Sequence, residues 1–282
     1  MSLAQRKLPD GYERRGSGLI APRAIHGRHR PAGRQIPCRT NMSMLVNPYR
    51  FAAAGGGGDP YFANVVLLLG FDASTNGSQA VTDESSSPKT VSWSGASTLV
   101  DNTHTVFSSA EALKLATADG YISVPNTSAF SAANTNDKTW EAWIYITSNS
   151  TRIQAIFSKD GLSGEEYTFG ISTSGTLFIH TYIAGSLDVN IGGSTAVSIN
   201  TWHHVAFCRA SGTWYAFLDG VLQTSHAQTG APTGSSNPMY MGKSGRVTGQ
   251  YFTGWMDEIR VTDTVARYTS TFTAPTAKFP RS

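Results

Sequence analysis

The stretch Thr201–Leu222, TWHHVAFCRASGTWYAFLDGVL, constrains the fold more than any other part of this 282-residue chain. It carries two runs of alternating apolar residues, Trp202–Cys208 and Trp214–Leu218, separated by Ala210-Ser211-Gly212-Thr213. Alternation with period two marks a strand with one buried face, and a short Gly-bearing spacer between two such runs predicts a hairpin. The second run ends in Asp219-Gly220, both of which tolerate the positive φ of a type I′ turn, and the chain returns through Val221-Leu222-Gln223. The expectation is a three-stranded antiparallel meander. Parity groups Cys208 with Trp202, His204 and Ala206. It also sends His203 and His204 to opposite faces, so this pair cannot chelate one metal ion; one ring is expected in or near the core and the other exposed.

The rest of the chain repeats the pattern. Val65–Phe71, VVLLLGF, is a continuous apolar run that predicts a strand buried on both sides. Further short strands are expected near Val91–Trp93, Val106–Phe107, Ala112–Leu115, Tyr121–Val124, Trp140–Ile146, Ile153–Ser158, Tyr167–Ser172, Leu177–Tyr182, Asp188–Ile191, Met239–Gly242 and Tyr251–Val261. One helical turn is expected at Thr264–Tyr268. Many short strands at regular turn spacing imply an all-β protein, an antiparallel two-sheet sandwich. Charged residues make up only 15% of the chain, which suits outer strands decorated with hydroxyls rather than ion pairs.

Charge divides the chain unevenly. Residues 1–60 hold ten Lys/Arg against three acids, whereas the remainder holds twelve against sixteen. The first segment lacks periodicity and ends in Ala52–Gly58, AAAGGGG, which reads as a flexible joint. The expected organisation is an extended basic arm over 1–59 and a sandwich over 60–282. Arg6, Lys7, Arg14, Arg15, Arg23, Arg28, Arg30, Arg34 and Arg39 are the residues expected to anchor the arm, through planar contacts with carboxylates or phosphates. The arm lacks interleaved aromatics and any DNA-reading motif, which favours a protein assembly over nucleic acid as its partner. No apolar run reaches the length of a transmembrane helix, and the N-terminus lacks the apolar core of a secretory signal. With one cysteine in the arm (Cys38) and one in the meander (Cys208), no disulfide is expected.

The run W-H-H-V-A-F-x-R-x-S-G-T-W-Y-A-F-L-D-G-V-L resembles the central hairpins of laminin-G-like, concanavalin A-like lectin/glucanase domains. Thr139–Ile146, TWEAWIYI, resembles that family's "T-h-E-a-W-h" strand, and Phe252–Thr262, FTGWMDEIRVT, its closing "G-h-h-D-E-h-R-h" strand. The tail Val265-Ala266-Arg267-Tyr268 with Phe272-Thr273-Ala274-Pro275 is similar to copies found in tailed-bacteriophage virion proteins, and Met44–Phe51 looks like an alternative start of such a protein. The resemblance spans roughly Val65 to Phe279 and implies a jelly-roll sandwich. It also implies a virion localisation, most simply as a capsid decoration protein and next as a tail or fibre component. Its partners would then be major capsid or tail proteins, further copies of the chain, and host or environmental polysaccharide. A free lectin-like module and a glycoside hydrolase remain as alternatives, because this fold hosts all three.

Glycosidases of the family carry an E-x-D-x-x-E arrangement that flanks the scissile bond with two acids. The chain has none, so no catalytic residue is assigned. Glu141 stands alone in its strand, with Arg260 as its candidate partner. Calcium is the one metal with candidate ligands, implied by sandwiches of this superfamily: Asp72 after the first strand, Asp119 beside Gly120, and Asp257 on the closing strand. Glycan binding calls for exposed aromatics that stack on sugar rings, for which Trp93, Tyr182, Trp214, Tyr240 and Tyr251 are the candidates. Trp140 and Trp143 lie at opposite parity, as do Trp214 and Tyr215, so one of each pair faces away from the core.

Overall fold

The computed structural model describes residues 58–282 apart from 97, 109–110, 117–119, 150–151 and 162–163. The expected anchoring cations, Arg6 to Arg39, lie outside the described residues. So does Asp119.

Among the described residues, fifteen strands build two antiparallel sheets. They are β1 (Val65–Leu69), β2 (Ser92–Ser94), β3 (Thr98–Asp101), β4 (Ala112–Leu115), β5 (Tyr121–Val124), β6 (Lys138–Ile146), β7 (Gln154–Gly161), β8 (Gly164–Ile171), β9 (Thr176–Ile183), β10 (Ser186–Ala196), β11 (Trp202–Ala210), β12 (Thr213–Leu218), β13 (Val221–Ala227), β14 (Met239–Met241) and β15 (Gly254–Asp263). The first sheet runs β13-β12-β11-β6-β15-β4-β3, and the second β10-β9-β8-β7-β14-β5-β2. One edge of β15 is shared: β4 pairs with Gly254–Met256, and β1 pairs with Ile259–Thr262. A bulge between Asp257 and Arg260, with Glu258 at φ 48°, re-aims the strand where the partner changes.

The meander forms as its pattern dictates. Ser211-Gly212 and Asp219-Gly220 both adopt consecutive positive φ, the geometry whose twist matches two right-twisted strands. Three expectations change. Val106–Phe107 lies in a turn, with Phe107 at φ 52°, while Thr98–Asp101 forms the strand that pairs with β4. Thr264–Tyr268 forms no helical turn: Thr264 sits at φ 61°, and the tail runs irregularly across the first sheet because Arg267 and Tyr268 are drawn onto buried carboxylates. The body begins at least one residue earlier than expected, since Asp59 is buried, donates its amide to the Ser282 carbonyl at 2.7 Å and pairs with two arginines.

The core between the sheets centres on aromatics delivered by parity. Trp140 of β6, Phe169 of β8 and Trp214 of β12 pack together, with Trp140 5.2 Å from Phe169 and 6.0 Å from Trp214 between ring centroids. Each indole N–H finds a buried acceptor: Trp140 donates to the Tyr167 hydroxyl at 3.1 Å, and Trp214 to Gln228 Oε1 at 2.7 Å.

Candidate functional site

The two outer faces of the sandwich have different fates. On the first sheet, parity turns Glu141, His204, Ala206, Cys208, Phe217 and Arg260 outward, and the C-terminal tail covers them. Tyr268 and Phe272 of the tail stack on one another and pack over Ala206, Cys208 and Phe217. Beneath them lies a dry ionic cluster. Glu141 Oε1 accepts from Arg260 Nε at 2.9 Å, and Oε2 accepts from the Tyr268 hydroxyl at 3.0 Å and faces His204 Nε2 at 3.1 Å. Asp59 takes a bidentate pair from Arg267 at 2.6 and 3.1 Å and a third contact from Arg260 at 3.2 Å. Burial alone would raise the Glu141 carboxyl, but Arg260, then His204 and Arg267, hold it down to about 2. This part of the face is neutralised and roofed; beyond it the same face carries partly exposed Tyr145, Trp202 and Trp255, with Tyr145 packed on both indoles and on His104.

The outer face of the second sheet is open and polar. Ile122 and Val124 of β5 and Met239 and Met241 of β14 point into the core, so Tyr121 and Tyr240 point out. Their rings meet edge to face at 5.6 Å, and Lys243 Nζ lies 3.9 Å from the Tyr121 ring centre and 4.8 Å from that of Tyr240. Residues 243–251 then fold back, with Lys243 bridged to Tyr251 as in a strand pair. Buried Asp160 holds this loop: it accepts the Gly245 amide at 2.6 Å, the Ser244 hydroxyl at 2.7 Å and the Thr168 hydroxyl at 3.0 Å. A side chain at Gly245 is excluded, because a Cβ there would lie 2.0 Å from the Asp160 carbonyl oxygen. The result is a groove of about 400 Å³ lined by Ser94, Tyr121, Lys243, Arg246, Gln250 and Tyr251, with Arg152 stacked on the Tyr251 ring at 3.9 Å. A second hollow of about 210 Å³ on the same face is lined by Ser172, Thr176, Phe178, His180 and Asn190.

Of the five aromatics expected to contact sugar, Tyr251 lines this groove, and Tyr240 stands beside it against Tyr121 and Lys243. Tyr182 is partly buried, and burial, with Asp160 second, raises its hydroxyl pKa. Trp214 is fully buried in the core and presents no ring to a ligand, so that expectation is corrected; Trp93, paired with Ile122, turns toward the core and packs on it while staying partly exposed. Trp214 and its neighbour Tyr215 are both large, so composition did not reveal which faced inward; Trp93 sits in a three-residue strand too short for alternation to decide. Tyr121, Lys243 and Arg152 were missed. Tyr121 was legible, because it heads a strand whose Ile122 and Val124 had to face inward.

Two of the three calcium candidates, Asp72 and Asp257, lie within the described residues. Asp72 pairs with Lys278 at 2.8 Å, and fully buried Asp257 accepts the Glu258 amide at 2.7 Å. Among the described residues no group of three or more His, Cys, Asp or Glu is placed to hold a metal ion, far from the six to eight oxygens that Ca²⁺ takes. Glu165 pairs with Arg246, and Glu166 with Lys159 at 3.0 Å, so the adjacent carboxylates of β8 are structural.

Comparison with known proteins bears on the same architecture. Solved structures share the fold at low identity. The binding domain of Paraclostridial Mosquitocidal Protein 1 is 14% identical, with a TM-score of 0.53 over 72% of this chain and 48% of that one. The receptor binding domain of botulinum neurotoxin D is 16% identical, with a TM-score of 0.54 over 72% of this chain and 50% of that one. The chain thus spans about half the length of these toxin domains. Domain 4 of AbnA, a GH43 extracellular arabinanase from Geobacillus stearothermophilus solved with arabinotriose, is 17% identical, with a TM-score of 0.50 over 71% of this chain and 92% of that domain. No curated protein matches significantly. The laminin-G-type sequence model of one superfamily matches residues 116–267, more than half of the chain and the span that builds both outer faces, so the protein belongs to the concanavalin A-like lectin/glucanases superfamily.

Proposed function

We propose that this chain is a structural protein of a tailed-bacteriophage virion, most simply a capsid decoration protein, whose sandwich is displayed outward and binds glycans. The observation that carries the binding half is the open groove on the second sheet, where tyrosine rings stand beside a cation. Sugar rings stack on aromatic faces while a few polar groups fix their hydroxyls. Lys243 pairs with no carboxylate among the described residues, which suits a polysaccharide carrying acidic substituents. The virion half rests on the arginine-rich segment 1–59 and on the resemblance of the tail motif to phage proteins. A long cationic arm suits lacing across a lattice of repeated subunits, and arrayed copies convert weak single-site affinity into avidity.

Two experiments test the halves separately. On an array of neutral and uronate-bearing polysaccharides, the wild type should bind, and Tyr240→Ala and Lys243→Ala should each weaken binding about tenfold or more without lowering the melting temperature appreciably. Unchanged affinity in both variants removes the groove. Deleting residues 1–58 should leave the sandwich folded but absent from purified virions. Incorporation at normal copy number removes the anchoring role and leaves a free carbohydrate-binding module.

A further inference from the structure

The loop after β10 and the turn after β12 converge on three side chains that neither the core nor the groove uses. Ser198 Oγ lies 2.7 Å from His203 Nε2, and His203 Nδ1 lies 2.7 Å from Asp219 Oδ2. The other carboxylate oxygen of Asp219 accepts the His204 amide at 2.8 Å. Burial would raise the Asp219 carboxyl, but the bonds from His203 and from the His204 amide hold it below the usual range. An ionised carboxylate only accepts, so Nδ1 carries the imidazole hydrogen and Nε2 turns its lone pair to the Ser198 hydroxyl. That is the order of nucleophile, base and orienter that recurs on unrelated folds and is recognised by geometry rather than by sequence position.

The surroundings fit the same chemistry. Ser198 is exposed, and the amides of Ser198 and Ile199 donate to no acceptor among the described residues, so they stand available to a developing oxyanion. Two exposed apolar side chains flank the trio in sequence, Ile199 at 43% and Val221 at 51% exposure. The base is rigidly seated. Asp219 and Gly220 form the type I′ turn, the Asp219 amide donates to the His204 carbonyl at 2.8 Å, and the Phe272 amide of the tail donates to the Gly220 carbonyl at 2.9 Å.

We propose that Ser198 is an activated nucleophile and that this site cleaves carboxylic esters with a short acyl group. Ser198 Oγ bonds to the ester carbonyl carbon as its proton passes to His203 Nε2. The C–O bond to the alcohol then breaks, and the alkoxide takes that proton. Water, deprotonated by the same nitrogen, attacks the acyl-serine; the bond from the acyl carbon to Ser198 Oγ breaks, His203 Nε2 returns the proton to Ser198, and the carboxylic acid leaves. No oxidant, reductant or metal enters the balance.

The test uses the full chain with a fluorophosphonate probe, peptide mapping of the adduct, and p-nitrophenyl acetate as substrate. Label should map to Ser198, and Ser198→Ala should abolish both label and turnover while leaving glycan binding intact. Asp219→Asn is the decisive variant, because Asn-Gly also favours a type I′ turn and keeps an oxygen for the His204 amide. Its amide nitrogen would face Nδ1 and force the proton onto Nε2, so labelling should fall about 100-fold or more at an unchanged melting temperature. Absence of label at Ser198 above that of other surface serines overturns the proposal, as does wild-type labelling in Asp219→Asn.

Discussion

Replacing Glu141 with Gln tests whether the ionic cluster under the tail holds the sandwich closed. Glu141 is fully buried and faces Arg260, Tyr268 and His204, while Asp59 bridges Arg260 and Arg267. The Gln side chain keeps the shape but removes one of the two carboxylates, leaving two buried guanidinium groups to share Asp59. Removing one partner from a buried ion pair costs about 3–5 kcal/mol. The pKa gives a second route to the magnitude. The Glu141 carboxyl is held at about 2 against an ordinary 4.5, which is worth about 3 kcal/mol of stability at neutral pH. A depressed carboxylate stabilises the fold fully above its unfolded value. That contribution should therefore be complete above about 4.5 and fade as pH falls toward about 2. Urea unfolding of wild type and Glu141→Gln at a series of pH values measures the difference directly, and other acids cancel in the subtraction. The gap should be about 3 kcal/mol at pH 7 and close progressively below pH 4.5. A gap below about 1 kcal/mol at pH 7, or one independent of pH, would refute the reasoning.

Other consequences are equally direct. Gly220→Ala places a Cβ 2.2 Å from the Phe272 carbonyl oxygen at a φ of 78°, so it should cost about 1–3 kcal/mol and render the tail susceptible to protease. The Cys208 thiol is buried and its pKa pushed up to about 12, burial being the main cause; peptide mapping should find it unmodified by iodoacetamide at pH 8 until the fold is melted. Trp214→Ala should lower stability by about 3–5 kcal/mol in thermal or urea unfolding, since it empties a core site between Trp140 and Phe169. The same change at Tyr240, whose ring stands partly in solvent, should cost far less.

The site divides along the same line as the fold. The Glu141–Arg260 pair could be chosen because an isolated carboxylate in an apolar strand needs a cation. Tyr121 followed from parity alone. Lys243 and Arg152 did not, because neither sits in an alternating run and each reaches its tyrosine only through a loop that Asp160 anchors from a different strand.

Local chemistry was sufficient for the meander, its type I′ turn at Asp219-Gly220 and the direction of most strand residues, because φ preferences and side-chain alternation act over a few residues. Which part of the sandwich surface the tail closes was decided by tertiary structure. The decision lies in contacts such as Arg267 to Asp59, 208 residues apart, and Tyr268 to Glu141, 127 apart. Such meetings depend on where whole elements dock, and no stretch of sequence short enough to read by pattern contains both partners.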